Sequence, residues 1–319
     1  MAGAVSRGWK VTVPTRRRER AKALTVLPTL DLVEADVHAP GVLEGLVAGC
    51  DAVVNLVGVL HSRPAAPDAA YGPAYARAHV DLPARLAAAC GGAGVRRLVQ
   101  MSALGAAADA PSGYLRSRAA GEAAARAVKG LSVTVFRPSV VFGPEDRFLN
   151  LFAELSSVLP VLVVACPEAR LQPVYVGDVV EALLDALEQP SGNGGTIDLC
   201  GPEVWRLDAL VRRVCRMKRR WRLVIGLPDG LSWLMAFLLE FTPGPVMTRD
   251  NYRSLKAEGT SDAPFPYGIR PCRIEDTAPA WLGGFPRRDA APVADGQGAL
   301  SRRPRPRDLG FARDHRIPR

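Results

Sequence analysis

Short runs rich in Val and Leu alternate with longer stretches of helical composition through the first half of the chain. Lys10 to Pro14, Leu30 to Ala35, Ala52 to Val57, Arg97 to Ser102 and Ser132 to Phe136 each have the length and β-branched content of a buried strand. Between them, Gly41 to Val47, Tyr75 to Cys90 and Leu115 to Val128 carry the spacing and composition of helices, with Pro83 expected to kink or restart the second. Strands that alternate with helices pair in parallel, and both faces of the sheet are then covered, so the pattern predicts a doubly wound α/β sheet. After Pro138 loops interrupt shorter elements: a strand over Leu171 to Val176, a helix over Val179 to Leu187, a strand over Thr196 to Leu199 and a helix over Asp208 to Val214. The expected organisation is a sheet domain over residues 1–170, a smaller mixed portion over 171–284 interleaved with it, and a disordered basic tail over 285–319.

Two later stretches break the pattern. Arg212 to Arg222 holds seven Lys/Arg and no acid, which fits a solvated face or an anion or partner site. Ser232 to Phe241 is apolar almost all round, as in a helix that is buried, docked on another protein, or lying in a membrane interface; ordinary core is the commonest fate.

Composition narrows the class. Hydrophobic residues make up 48% of the 319 and charged residues 23%, so disorder throughout is excluded. The basic start has no apolar signal core, and no run of about 18 apolar residues follows, so the expected location is the cytoplasm, with peripheral contact at the inner face of a membrane as the alternative. The net charge of +9 sits at the ends: residues 1–22 carry +6 and residues 287–319 carry +5, leaving the body slightly acidic. No recognition motif accompanies these ends, so nucleic acid is not an expected partner. The six cysteines form no C-x-x-C pair and have no histidine at ligand spacing, so no metal site is expected.

The candidate chemistry lies at the predicted strand ends. A dinucleotide site rests its pyrophosphate on a glycine-rich turn between the first strand and first helix. No such turn precedes Lys10, and Ala2 to Arg7 reads as the tail of that helix, so the sequence is expected to begin after the first strand and its loop. Thr15-Arg16-Arg17-Arg18 follows the next strand, where an acidic residue would hold a ribose 2′-hydroxyl; arginines there suit a 2′-phosphate or form a surface cluster. Asp36 ends another strand and would meet an adenine edge or serve a turn. Asn55-Leu56-Val57-Gly58 ends a third, with a small residue where a ribose could approach closely. Ser102 closes a fourth. Tyr114 and Arg118 stand at i and i+4 on one predicted helix, a spacing in which a cation favours a phenolate and holds a ribose. His61 and His79 are assigned to loop or helix surfaces.

These motifs in this order, with Met101-Ser-Ala-Leu-Gly105, Glu122 and Arg137-Pro-Ser-Val-Val-Phe-Gly-Pro144, resemble the extended short-chain dehydrogenase/reductase superfamily over residues 1 to about 283. Within it the wording is most similar to the NADPH-binding Rossmann-type accessory subunits of respiratory complex I and their bacterial homologues. The resemblance implies a Rossmann sheet lacking its first strand and Gly-rich loop, and NADP(H) as a bound cofactor. It assigns Arg16 and Arg17 to the 2′-phosphate, Asp36 and Val37 to the adenine, and Leu56, Val57 and Gly58 to the adenosine side. Ser102, Tyr114 and Arg118 fall at the nicotinamide, with Pro138, Ser139 and Val140 closing over it. Arg118 stands where the superfamily carries Lys, and arginine does not release its proton near neutrality. The implied function is therefore nucleotide binding or assembly with little or no turnover, with contact to a respiratory complex or membrane surface through Arg212–Arg222 and Leu231–Phe241. The alternative is an NADP-dependent reductase or epimerase/dehydratase using Tyr114 as general acid/base.

Overall fold

The computed structural model describes residues 1–189 and 194–283. The tail expected over 285–319 lies outside the described residues. The chain opens with α1 (Ala2–Ser6) and β1 (Val11–Thr15), and a 3₁₀ turn leads to β2 (Leu30–Glu34). Then come α2 (Val42–Val47), β3 (Val53–Asn55), α3 (Pro73–Tyr75), α4 (Leu82–Gly92), β4 (Arg97–Met101), α5 (Gly113–Arg126) and β5 (Ser132–Pro138). β3, β4, β5 and a later strand, β10 (Thr196–Leu199), form one parallel sheet in the order β10-β5-β4-β3, while β1 pairs in parallel with β2. Among the described residues β1 and β3 do not pair, so β1 and β2 form a parallel sheet separate from the four-stranded one.

Alternation along the strands fills both faces. Leu98, Val133 and Val135 point to one side, where Leu43, Val47, Leu82, Leu86 and Cys90 from α2 and α4 cover them. Val99 and Phe136 point to the other, where Val179 and Ala182 of α7 (Val176–Glu188) pack with Leu199. Both faces of β4 are buried, as a parallel strand between helix layers requires. The expected break at Pro83 takes a definite form: residues Ala76–Asp81 make a π-helical turn that runs straight into α4, so the wider turn falls just where Pro83 withholds an N–H from the helical hydrogen bonds. α1 docks on α7, with Arg7 paired to Asp185 and Glu188.

Beyond β5 the chain adds β6 (Val141–Phe142), α6 (Leu149–Val158), β7 (Val161–Val164), β8 (Arg170–Leu171), β9 (Val174–Tyr175), α7, β10 (Thr196–Leu199), β11 (Trp205–Arg206), α8 (Leu207–Met217), β12 (Leu223–Gly226), α9 (Asp229–Leu239) and α10 (Arg249–Lys256). The strand expected over Leu171 to Val176 is thus split into the ends of two short strands. Phe142, Leu149, Leu162, Leu210, Val214 and Val224 build a separate core here. α6, β7 and β12 have no counterpart among the elements expected from the sequence, and Ser232 to Phe241 is not the ordinary core expected there. Met235, Ala236 and Leu239 of α9 pack inward, but Leu231, Trp233, Leu234, Leu238 and the following Phe241 are exposed.

Candidate functional site

In an open parallel sheet the strands end at one edge, and side chains placed just beyond those ends converge on a crevice. Four of the residues picked from the sequence meet there. Val57 and Gly58 follow β3, Ser102 follows β4, and Arg118 reaches both strand ends from the second turn of α5. Its guanidinium donates to the Met101 carbonyl at 3.1 Å and to the Val57 carbonyl at 3.4 Å, and it lies 5.3 Å from the centre of the Tyr114 ring. Arg118 is 8% exposed, and its Nε is buried without a partner. A Cβ on residue 58 would stand 2.2 Å from the guanidinium, so a side chain there would force Arg118 to shift, and glycine also lets a ligand approach closely.

Asn55 and Gln100 tie the strand ends together. Asn55 Nδ2 donates to Gln100 Oε1 at 2.9 Å, Gln100 Nε2 donates to the Met101 carbonyl, and Asn55 Oδ1 accepts from the Val57 N–H. Ser102 has a different tie. Its hydroxyl donates to Glu122 Oε1 at 2.5 Å, and Arg137 grips the same carboxylate with two bonds of 2.8 and 2.7 Å. Glu122 and Ser102 are both buried, so a fork between a carboxylate and a guanidinium on neighbouring elements fixes the serine. The hydrogen bond to Glu122 raises the Arg137 pKa still further. With its proton held by Glu122, the Ser102 hydroxyl has only lone pairs to offer another group.

Tyr114 is positioned from behind by residues the sequence reading set aside. His79, assigned to a surface, is 1% exposed. Its ring lies edge-on to Tyr114 at 5.5 Å and stacks on Tyr75 at 5.4 Å. The Val59 N–H donates to His79 Nε2 at 3.0 Å, which assigns the proton to Nδ1; that nitrogen donates to Ser117 Oγ at 2.8 Å, and Ser117 passes its own proton to the Tyr114 carbonyl. Burial first, and then the Arg118 cation, push the imidazole pKa down to about 3, so the ring is neutral. At the other end, both carboxylate oxygens of Asp250 on α10 accept from the Gly113 and Tyr114 N–H groups, and Ser112 caps Leu115. The first turn of α5 is thus held by a residue 137 positions away, which no local signal reveals.

The remaining picks are spread along the edge. Arg16 and Arg17 follow β1 and are exposed. Asp36 accepts a backbone hydrogen bond from His38, which lowers its pKa; Arg77 and Arg16 are close enough to add to that effect. The turn role weighed for Asp36 is therefore present, and Arg77 joins Arg16 as a cation that the sequence did not single out. Val37 packs against the core beside Leu43 and Val47. Leu56 is 50% exposed and Val57 40%, two large apolar side chains left uncovered at the strand end. The Pro138 carbonyl accepts from the Leu104 N–H, Ser139 donates to the Gly259 carbonyl, and Val140 packs on the second core. No group of three or more metal-ligating side chains occurs among the described residues.

A sequence profile of the NAD dependent epimerase/dehydratase family matches residues 3–200. The chain belongs to that family. Curated relatives include mouse NADH dehydrogenase [ubiquinone] 1 alpha subcomplex subunit 9, mitochondrial, 32% identical over 202 residues, which are 61% of this chain and 53% of that protein. The Arabidopsis thaliana protein of the same name is 35% identical over 162 residues, 48% of this chain and 39% of that one. The ceramide reductase of Caulobacter vibrioides is 29% identical over 184 residues, 57% of this chain and 55% of its own length. The chain thus spans about half the length of the curated relatives it matches, or less. Among solved structures, a nucleoside-diphosphate-sugar epimerase from Staphylococcus aureus superposes with a TM-score of 0.66 at 12% identity, covering 88% of this chain and 93% of that one. UDP-glucuronic acid 4-epimerase from Bacillus cereus, solved with NAD, gives 0.60 at 14% identity, covering 81% and 93%. At these identities the solved structures show the fold, a Rossmann-type α/β sheet. The resemblance to the complex I accessory subunits is likewise present in the curated relatives.

Proposed function

We propose that the protein binds NADP(H) at the carboxyl edge of its sheet and acts as a binding or assembly module with little or no turnover. The observation that carries this reading is Arg118. The guanidinium is held by two backbone carbonyls beside Gly58, and its Nε is a buried donor awaiting an acceptor. Such a group holds a ribose or phosphate oxygen well and transfers protons poorly. The residues present fit the adenosine, 2′-phosphate and nicotinamide-ribose parts of a nicotinamide dinucleotide. Leu56 and Val57 offer exposed apolar surface to an adenosine, Gly58 allows close approach, and Arg16 with Arg77 supplies positive charge for a 2′-phosphate near Asp36. When bound, such a cofactor can accept or donate hydride at its nicotinamide. Of the chain's own residues, Arg118 would anchor and Tyr114 would line the site, while Ser102, with its proton on Glu122, braces the floor.

The reading includes association with a respiratory complex, brought from the mouse and Arabidopsis relatives named for NADH dehydrogenase, and a location in the cytoplasm or at the inner face of a membrane. Arg212–Arg222 with Leu231–Phe241 is the surface proposed for contact with either the complex or the membrane that carries it. The reductase reading has its own support in the Caulobacter relative and in Tyr114, a half-buried phenol beside a cation. Two measurements separate them. Native mass spectrometry of the protein should show a mass increment equal to NADPH that Arg118→Ala abolishes. NADPH consumption across a panel of carbonyl substrates should stay at background, and consumption abolished by Tyr114→Phe would make the protein an enzyme.

A further inference from the structure

We propose that the end of the molecule formed by the loop after α8, the outer face of the β7/β12 pair and the outer side of α9 docks on an anionic lipid bilayer. The proposal does not depend on nucleotide binding. Three observations converge on it.

The first is a sheet face without a cover. β7 and β12 pair in parallel with Leu223 opposite Val161 and Ile225 opposite Val163. Their alternate neighbours Leu162, Val164 and Val224 enter the core, so these four share the opposite face, and all four are exposed. At the loop end of this face lie Val158, Leu159 and Trp221, the last 97% exposed. An indole left wholly in solvent at the edge of an apolar face is the placement aromatic side chains take at a membrane–water boundary.

The second observation is charge. Arg216, Arg219, Arg220 and Trp221 are exposed around the same turn, and none of the three arginines has a carboxylate within ion-pair distance among the described residues. Among the described residues Arg222 donates to the Ser156 and Trp221 carbonyls and to no carboxylate. The sequence from Ala209 to Pro228 contains no acid. A protein partner would pair such cations with carboxylates in fixed register. A headgroup layer neutralises them without register and takes the apolar side chains between them.

The third is continuity. β12 runs through Leu227 into α9, whose outward side carries Leu231, Leu234, Leu238 and Phe241, with Trp233 stacked on Phe237. The basic turn, the apolar strand and the apolar helix therefore follow one another along the chain. No helix among the described residues is long and apolar enough to cross a membrane, so the contact this surface supports is one that lies on the bilayer.

The test is flotation of the protein with vesicles of phosphatidylcholine alone or mixed with phosphatidylglycerol, read together with tryptophan emission. The expected result is binding to the mixed vesicles only, a blue shift that Trp221→Phe reduces and Trp221→Phe with Trp233→Phe removes, and release by salt. The double variant Arg219→Gln, Arg220→Gln should weaken partition about thirtyfold, roughly fivefold for each charge. Leu223→Ser with Ile225→Ser should weaken it too. Because these side chains are exposed, unchanged melting temperatures will show that the variants fold. Equal binding to neutral vesicles, absence of binding to the mixed vesicles, or binding that ignores the arginine substitutions overturns the proposal. Stable capture of one protein partner through the same residues, without vesicle binding, would overturn it in favour of a protein interface.

Discussion

The two ends of the candidate site are built by different means. At the exits of β3, β4 and β5 the buried polar groups are paired with one another, Arg118 Nε excepted: Asn55 to Gln100, Ser102 to Glu122, Glu122 to Arg137, His79 to Ser117, and the rest of the Arg118 guanidinium to two carbonyls. At the exits of β1 and β2, Arg16, Arg17 and Arg77 stand in solvent, and β1 has no fully buried residue. Buried polar groups must be paired or they cost stability, so the first region is rigid by necessity and its chemistry is fixed by the fold. Exposed cations cost little and can turn to meet an anion, so the second region is free to choose a ligand. Such a division suits a protein that holds a nucleotide, with anchoring at one end and phosphate recognition at the other, better than one that must move protons at the rigid end.

The comparison breaks most visibly at Glu122. Replacing it with Ala strands Arg137 and frees Ser102, and should cost about 3 kcal/mol in urea unfolding, as for one partner removed from a buried ion pair. Gly121→Ala follows, because the added Cβ would lie 1.8 Å from the His79 carbonyl oxygen, a backbone atom that cannot swing aside. About 1–3 kcal/mol of destabilisation is expected, with loss of the π-helical turn in amide exchange. Substitutions at Arg16 or Arg77 should change stability by no more than about 0.5 kcal/mol while weakening NADPH about tenfold. A large stability loss there would erase the distinction between the two regions.

Acidity sharpens the same contrast through His79. The folded ring has a pKa of about 3 and the unfolded imidazole about 6.5, so between these values the unfolded chain binds a proton that the folded one does not. Stability present above about pH 6.5 should therefore be lost as pH falls toward 3, by up to about 1.4 kcal/mol per pH unit from this residue. The slope of unfolding free energy against pH should flatten by that amount in His79→Gln. An unchanged slope would mean that the ring is not held neutral.

Much of this was legible in the chain. The strands of the main sheet were marked by β-branched runs, and β1 to β5 begin and end within two residues of where those runs place them. Tyr114 and Arg118 were found because a helix brings i and i+4 together by local geometry. What stayed hidden depends on distant closure. His79 reads as a helix-surface polar residue until the π-helical turn and α5 enclose it. Asp250 caps Tyr114 from the far end of the sequence. β12 is four residues after a basic run, and only its pairing with β7 makes it a strand. The apolar composition of α9 pointed to burial because composition alone cannot say that the space on one side is left open.

The central claim is that this edge binds NADP(H) through Arg118 without using it. Equilibrium titration of the protein with NADPH and with NADH tests it most directly. The account predicts saturable NADPH binding at least tenfold tighter than NADH, a preference lost in Arg16→Ala, and weaker binding of both nucleotides in Arg118→Ala. No binding of either nucleotide, or binding that Arg118→Ala leaves intact, would contradict it.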